Sequence, residues 1–317
     1  FIDELKLGLS PEAVLAVPDD YLSEPRSRWR GISSVLVLPQ NVNEVSTVVG
    51  LANARNIPII PYGGGTGLVG GQIQDKGPSG ILLSLERMNE IRSLNLDENV
   101  ITVESGVILS NLRDAAEEVK RIFPLSLASE GTAQIGGNLA TNAGGVNVLR
   151  YGSTRNLCLG LEVVFADGSI WNGLSRLHKD NTGYDLKNLI IGSEGTLGII
   201  TAATMKLFPK PLEHTVALIA VKSPKDALRL LSATKDYFGE TISAFELINK
   251  MGIDFFNETK VEVKVPFSNI PEWMVLLDIG HPGRNSAEKN TNDYFENILS
   301  GGLAVDGVLA ENVGQQN

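Results

Sequence analysis

Pro61-Tyr62-Gly63-Gly64-Gly65-Thr66-Gly67-Leu68-Val69-Gly70-Gly71 decides how this chain is read. Gly65 to Gly70 spell G-x-G-x-x-G, the letters of a Rossmann dinucleotide turn. That turn needs a helix opening inside the motif, so that the helix N-terminus meets a pyrophosphate. Here Gly71-Gln72-Ile73-Gln74-Asp75-Lys76-Gly77-Pro78 follows, and a stretch holding two glycines and a proline does not open a helix. No Gly-Lys-Ser/Thr closes the loop, so a Walker A reading fails too. What remains is a long loop behind the short apolar strand Ile57-Pro58-Ile59-Ile60. Glycine lets such a loop adopt positive φ and approach a ligand closely. Successive N–H groups pointing inward make a nest for an anion, and a diphosphate is a natural guest. A bare surface loop is the competing reading.

A second small-residue stretch shifts that balance. Ile135-Gly136-Gly137-Asn138-Leu139-Ala140-Thr141-Asn142-Ala143-Gly144-Gly145 is read as a second glycine loop, too ordered in composition for a linker. Its asparagines can fix turns through side-chain hydrogen bonds. Two such loops about 70 residues apart suggest one extended ligand touched twice, and a dinucleotide has that length. Gly192-Ser193-Glu194-Gly195-Thr196-Leu197-Gly198-Ile199-Ile200 adds a third segment of close approach.

Around these loops the pattern is mixed α and β. Val42, Val45, Val48, Val49 and Ala52 recur at helical spacing between Asn41 and Asn56. Ile81 to Leu85, Val100 to Glu104 and Leu161 to Ala166 read as strands. Asp167-Gly168 is a tight-turn signal, with Ser169-Ile170-Trp171 as the returning strand. Ser110 reads as the N-cap of a helix to about Arg121, with Leu112, Ala115, Ala116 and Val119 inward. Beyond Lys210-Pro211 the glycine density falls, which puts a domain boundary near residue 211. Ser223-Pro224 then opens a helix as N-cap and first residue. Trp273 to Ile279 reads as a strand and Ala287 to Leu299 as a helix.

The bulk numbers exclude some functions. A net charge of -10 without a basic face argues against nucleic acid, whose phosphates demand cations. Cys158 is the single cysteine, so no internal disulfide forms, and Leu157-Cys158-Leu159 reads as buried packing. No apolar run approaches the roughly 20 residues of a membrane-spanning helix, and no signal peptide is visible. The first residue is Phe1, and Glu311 to Asn317 reads as the start of a helix, so a fragment cut at both ends is expected.

Taken in order, Pro61 to Leu68, Ile135 to Gly145, Tyr151-Gly152 and Ile191 to Ile200 resemble the vanillyl-alcohol-oxidase type of FAD-binding domain. Leu149-Arg150-Tyr151-Gly152-Ser153, Gly160-Leu161-Glu162-Val163-Val164, Lys179 to Lys187 and Ser243-Ala244-Phe245-Glu246 resemble its D-2-hydroxy-acid dehydrogenases. These act on D-2-hydroxyglutarate, D-lactate and glycolate. The resemblance implies an α+β fold with a two-subdomain FAD-binding domain over 1–210, divided into about 1–95 and 96–210. It implies a partial substrate (cap) domain over 211–317. It implies FAD wrapped at its pyrophosphate by Pro61, Tyr62, Gly63, Gly64, Gly65, Thr66, Gly67 and Leu68. It places Gly131, Thr132, Ile135, Gly136, Gly137, Asn142, Gly144 and Gly145 on the flavin and ribityl side, with Tyr151 and Gly152 also at the cofactor. Glu194, Gly198, Ile199 and Ile200 would lie near the adenosine end. Some relatives tether FAD through a histidine or cysteine near the first loop. None stands between Pro61 and Gly71, so non-covalent FAD is expected. Glu130 and Gln134 depart from the small, basic or imidazole-bearing residues that the resemblance implies there.

The implied reaction oxidises a D-2-hydroxy acid to the 2-oxo acid, with hydride transfer to flavin N5. Electrons would pass on to an electron-transfer flavoprotein or quinone rather than NAD. Relatives carry His-x-Gly-Asp-Gly-Asn-x-His and a later Glu-His pair, and neither occurs here. His178, His214 and His281 are scattered without metal-ligand spacing. The catalytic base, a divalent metal such as zinc, and the arginine for the substrate carboxylate are therefore expected beyond Asn317. Arg150, Lys179 and Lys187 are candidates either for drawing in an anionic substrate or for plain solvated charge. Asp180 and Asp185 read as turn and cap residues. The alternatives are an FAD-binding subunit of a glycolate or D-lactate dehydrogenase complex that needs a partner, an oxidase, and a cell-wall-precursor reductase. Lys179 to Lys187 argues against the last. A homodimer is allowed, and a cytoplasmic or mitochondrial-matrix location is expected.

Overall fold

The computed structural model describes residues 1–261, 265–281, 283 and 287–310, without the side chains of 287–290. The helix expected over 311–317 lies outside the described residues. The chain divides into two compact units. The first comprises Phe1–Gly145 and Ser153–Pro209, the second Val146–Gly152 and Lys210–Asn317.

The first unit contains two main sheets. In one, strand Ile81–Ser84 lies between Val35–Val37 and Ile59–Tyr62, parallel to both. Parallel neighbours need a crossover, and the helix Val42–Ala54 connects the two flanking strands. Asn41 caps it, its side chain accepting from the Glu44 N–H at 3.0 Å. Val45, Val48, Val49 and Ala52 are buried with Val35, Val37, Ile81 and Leu83. Leu82 faces the other way, with Leu36, Leu38, Ile60, Tyr62 and Tyr21. Burial on both faces explains why Ile81–Ser84 is apolar without alternation. The strand before the first glycine loop runs Ile59–Tyr62 and is half-buried throughout. It thus ends two residues beyond Ile60, because Pro61 and Tyr62 continue the register against Leu83 and Ser84.

The second sheet is antiparallel and ordered Ile91–Asn95, Val100–Glu104, Ile199–Lys206, Cys158–Val164, Ile170–Gly173. The Asp167-Gly168 turn joins the last two strands in space, with Gly168 at φ 86° and the Asp167 carboxylate accepting from the Ser169 N–H at 2.9 Å. Arg92 bridges the buried carboxylates of Glu104 and Glu162, each at 3.1 Å. The Thr201 hydroxyl donates to Glu162 at 2.8 Å. Such burial of carboxylates is tolerable only when they are paired and hydrogen-bonded.

Two local readings change. The helix expected from Ser110 runs Leu109–Glu118 with Ile108 at its N-cap. Ser110 instead donates its N–H to the Glu130 carbonyl at 3.0 Å. The stretch read as a second glycine loop opens as a helix, Ile135–Ala140. Ile135 and Leu139 are four apart and both buried, and that anchorage outweighs the low helix propensity of glycine.

The second unit is a β-α-β-β-α-β arrangement. Its antiparallel sheet is ordered Ile242–Asn249, Trp273–His281, Glu213–Val221, Asp306–Leu309. Helix Pro224–Phe238 starts as expected, with the Ser223 hydroxyl accepting from the Asp226 N–H and Pro224 in the first turn. Its Ala227 and Leu230, with Tyr294, Phe295 and Ile298 of helix Ala287–Ser300, pack on Ile219, Val275, Leu277 and Ile279.

Candidate cofactor cleft

The strand Ile59–Tyr62 delivers the chain into the first glycine loop, and the loop lines an open cleft within the first unit. Pro61 through Gly67, Val69, Gly71 and Gln72 form one wall. Gln134, Gly136, Gly137, Asn138, Ala140 and Thr141 form a second, with Ser105 behind. Glu194, Gly195, Gly198, Ile199 and Ile200 form a third, over Leu83 and Leu85.

The first loop keeps its donors free. Among the described hydrogen bonds, none uses the backbone N–H of Gly64, Gly65, Thr66 or Gly67. The loop's carbonyls are engaged instead: the Gln72 side-chain amide donates to Gly67 at 2.8 Å and to Gly65 at 3.4 Å. A run of unpaired amides with its carbonyls turned to a side chain is the wiring of an anion nest. Among the described residues no lysine or arginine lines the cleft, and Glu194 is its charged member. A diphosphate here would be met by neutral N–H groups.

Several glycines are explained by protein neighbours before any ligand is considered. A Cβ on Gly64 would run into the carbonyl of Thr132, and one on Gly63 would come within 3.4 Å of the Gly137 Cα. The first two walls therefore abut backbone to backbone. Gly65 has φ 69° and lies against the Tyr62 hydroxyl, so its conformation and its packing both require glycine. A Cβ on Gly136 would sit 2.6 Å from the Ser105 Cβ. The Ser105 hydroxyl donates to the Ile200 carbonyl at 2.6 Å, which fixes the third wall to the second. Gly192 and Glu194 donate their N–H groups to Leu139 and Ala140 at 3.1 and 2.9 Å. Glu194 holds φ 52°, a left-handed backbone that costs a non-glycine residue on the order of 1 kcal/mol.

Tyr62 lies 4.8 Å from Tyr21, ring centroid to ring centroid, and the Tyr21 hydroxyl donates to Glu86. Burial, then the Glu86 carboxylate, raises the Tyr62 phenol, so it stays neutral. Asn138 is 5% exposed and its Oδ1 is buried without a hydrogen-bond partner. Free amides, glycine-lined walls and one unmet buried acceptor fit a dinucleotide such as FAD, whose diphosphate accepts and whose other parts donate.

Thirteen of the cofactor residues proposed from sequence line the cleft: Pro61 to Gly67, Gly136, Gly137, Glu194, Gly198, Ile199 and Ile200. Leu68, Gly131, Thr132, Ile135, Asn142, Gly144 and Gly145 are outside its lining. Ile135 is core, Thr132 supports Gly64, and Asn142 caps a helix by accepting from the Arg155 N–H at 3.0 Å. Gly145, at φ 90°, is packed on Ser126. Tyr151 and Gly152 belong to the second unit, where Gly152 ends the helix Val148–Tyr151 at φ 77°. Sequence reading missed Gln72, Ser105, Asn138 and Thr141, and named Gln134 only as a departure from the resemblance. Asn138 and Thr141 stood inside a quoted motif, and a helical period through Ile135 and Leu139 was the signal that put them on one short helix.

Two of the three charges proposed for substrate, Arg150 and Lys187, have local partners. Arg150 donates to the Thr241 and Gly280 carbonyls at 3.2 and 3.1 Å and to the Ser243 hydroxyl at 3.2 Å. Lys187 pairs with Asp185 at 3.0 Å, and Asp185 caps the helix Leu186–Ile190. Asp180 accepts from the Thr182 N–H, a turn contact. His214 pairs with Asp278 at 2.9 Å, and buried His281 shares a hydrogen bond with Thr215 at 2.9 Å. No group of three metal-ligating side chains occurs among the described residues. Cys158 is buried, and burial pushes its thiol up to about 12. Among the described residues no helix is long and apolar enough to cross a membrane.

Comparison with known proteins agrees with this geometry. Residues 33–173 match the family described as an FAD binding domain. The chain is 38% identical over 309 residues to a mitochondrial D-2-hydroxyglutarate dehydrogenase of Danio rerio, covering 96% of this chain and 57% of the relative. It is 36% identical over 290 residues to the Arabidopsis thaliana protein of that name, covering 91% and 51%. A D-2-hydroxyglutarate–pyruvate transhydrogenase of Saccharomyces cerevisiae is 30% identical over 311 residues, covering 98% and 61%. The chain thus spans somewhat over half the length of these relatives. Among solved structures, an alkyldihydroxyacetonephosphate synthase superposes with TM-score 0.78 at 20% identity, covering 98% of this chain and 61% of that one. A p-cresol methylhydroxylase with substrate bound superposes with TM-score 0.76 at 20% identity, covering 99% and 66%.

Proposed function

We propose that this chain, whose residues 33–173 match an FAD binding domain, is the flavin-holding part of a D-2-hydroxy-acid dehydrogenase of the vanillyl-alcohol-oxidase type. The observation that carries this is the run of unpaired N–H groups from Gly64 to Gly67 on the cleft wall. Those amides would hold the FAD diphosphate, with Gln72 keeping the loop's carbonyls turned away. The Glu194 carboxylate would accept from adenosine hydroxyl or amino groups and disfavour an extra phosphate there. Ser105, Gly136 and Gly137 would set how closely the helix wall approaches the ligand. No histidine or cysteine is among the described lining residues, and the reading takes the FAD as non-covalently held. Bound there, FAD supplies a hydride acceptor for oxidation of an alcohol carbon.

The substrate of this reading is D-2-hydroxyglutarate, after the names of the Danio rerio and Arabidopsis thaliana relatives. D-Lactate and glycolate are its nearest competitors. No histidine or lysine is among the described lining residues, and the described residues hold no metal cluster. The proton-abstracting group and any zinc belong, in this reading, to sequence outside this chain. Electrons leave to an electron-transfer flavoprotein or a quinone. The location proposed is the mitochondrial matrix, or the cytoplasm of a bacterium.

Titrating the purified chain with FAD and following flavin fluorescence tests the cofactor assignment. One-to-one binding with a yellow complex is expected. A folded chain that leaves added FAD free in solution would refute it. Flavin bleaching by D-2-hydroxyglutarate in the full-length protein, ahead of D-lactate and glycolate, tests the substrate.

A further inference from the structure

Asn138 has a polar atom with nowhere to go. It sits in the second half of the helix Ile135–Ala140, 5% exposed, and lines the cleft. Its backbone is satisfied: the N–H donates to Gln134 at 2.9 Å, and the carbonyl accepts from Ala143 at 2.8 Å. Its Oδ1 is buried and has no partner. The other orphan among the described residues, Gln74 Oε1, belongs to a carboxamide already tied to the Pro78 carbonyl, and Gln74 does not line the cleft. Leaving a buried acceptor unmet is unfavourable, and native structures keep such groups where a ligand or water completes them. An alanine or leucine would fill the position without that penalty.

We infer that the Asn138 carboxamide hydrogen-bonds the bound dinucleotide outside its diphosphate, and so selects for the intact cofactor. An acceptor needs an N–H or O–H partner, and an ionised diphosphate offers neither. The flavin imide, the ribityl hydroxyls and the adenosine amino and hydroxyl groups all do. The division of labour is then clear. The first loop's amides hold the charged centre of the ligand, while Asn138 on the facing wall reads one of its neutral ends. Gly63 against Gly137 fixes the spacing between the two walls, because their backbones meet with no side chain between.

This inference rests on the FAD reading of the cleft, and one set of measurements separates the two. FAD and ADP affinities are measured by fluorescence and calorimetry for the parent chain, Asn138→Leu and Asn138→Ala. Thermal midpoints are recorded without ligand. Loss of FAD affinity by about tenfold or more in both variants is expected, with ligand-free midpoints equal to or above the parent's. A parallel loss for ADP would assign the contact to the adenosine half. An unchanged ADP affinity would assign it to the flavin half. If the parent binds FAD and both variants match it within about twofold, Asn138 is only packing and the inference falls. A lowered ligand-free midpoint with unchanged FAD affinity has the same meaning. If the parent binds no FAD, the reading of the cleft falls first and takes this one with it.

Discussion

The N–H of Glu194 donates to the carbonyl of Ala140 at 2.9 Å. This bond ties the last turn of the helix Ile135–Ala140 to a segment more than fifty positions later, and it holds Glu194 in a left-handed backbone at the cleft edge. Three stretches far apart in sequence therefore share one wall-to-wall geometry.

Gly64 is the tightest of these junctions, since a Cβ would run into the Thr132 carbonyl. Gly64→Ala is expected to destabilise the ligand-free chain by about 1–3 kcal/mol, the range for overpacking. Gly131→Ala, where a Cβ meets open space, should stay within about 0.5 kcal/mol of the parent. Urea unfolding of the two variants side by side checks this, and equal midpoints would show that the loops can part at Gly64.

Gln72 holds the first loop's carbonyls at Gly65 and Gly67. Gln72→Leu should leave the thermal midpoint nearly unchanged and weaken FAD binding about fivefold, the worth of roughly 1 kcal/mol of hydrogen bonding. Retention of full affinity would mean that the loop holds its shape without Gln72.

Arg150 anchors three acceptors of its own unit, Thr241 and Gly280 carbonyls and the Ser243 hydroxyl. Arg150→Lys keeps the charge and loses the planar fork. Both Arg150→Lys and Arg150→Met are therefore expected to destabilise the fold, by about 2–4 kcal/mol for the latter. If Arg150→Lys unfolds like the parent, charge rather than geometry is what this position supplies.

His281 is buried, and burial, with a smaller push from His214, lowers its pKa below the ordinary 6.5. A base depressed on folding binds fewer protons folded than unfolded. Its contribution is full above about pH 6.5 and is lost as pH falls from there through the folded value. Unfolding midpoints of the parent at pH 8 and pH 5 should differ more than those of His281→Gln. Identical differences would contradict it.

Much of the fold was legible because it is local. The valines at helical spacing after Asn41, the Asp167-Gly168 turn and the Ser223-Pro224 start each depend on a few neighbouring residues, and each forms as read. The glycine loop after Pro61 was legible for a similar reason: eleven residues with no helix behind them exclude a Rossmann turn. That glycine pattern by itself pointed to a loop of bare backbone amides, with a ligand-free surface loop as its rival. Resemblance, rather than spacing, carried the step to FAD.

Tertiary structure decided the rest. Composition cannot distinguish a glycine that serves a ligand from one that serves a neighbour, and Gly64 and Gly136 pack against Thr132 and Ser105. Nor could it foresee that two buried apolar anchors, Ile135 and Leu139, would wind a glycine-rich stretch into a helix. Which residues line the cleft follows from that helix: Asn138 lines it with its acceptor unmet, while Asn142, four residues on, is spent on the Arg155 N–H. The sequence determined that small residues would cluster in these segments. Only the packing of three distant segments decided which of them line one cleft, because that depends on contacts between residues with no local signal of their meeting.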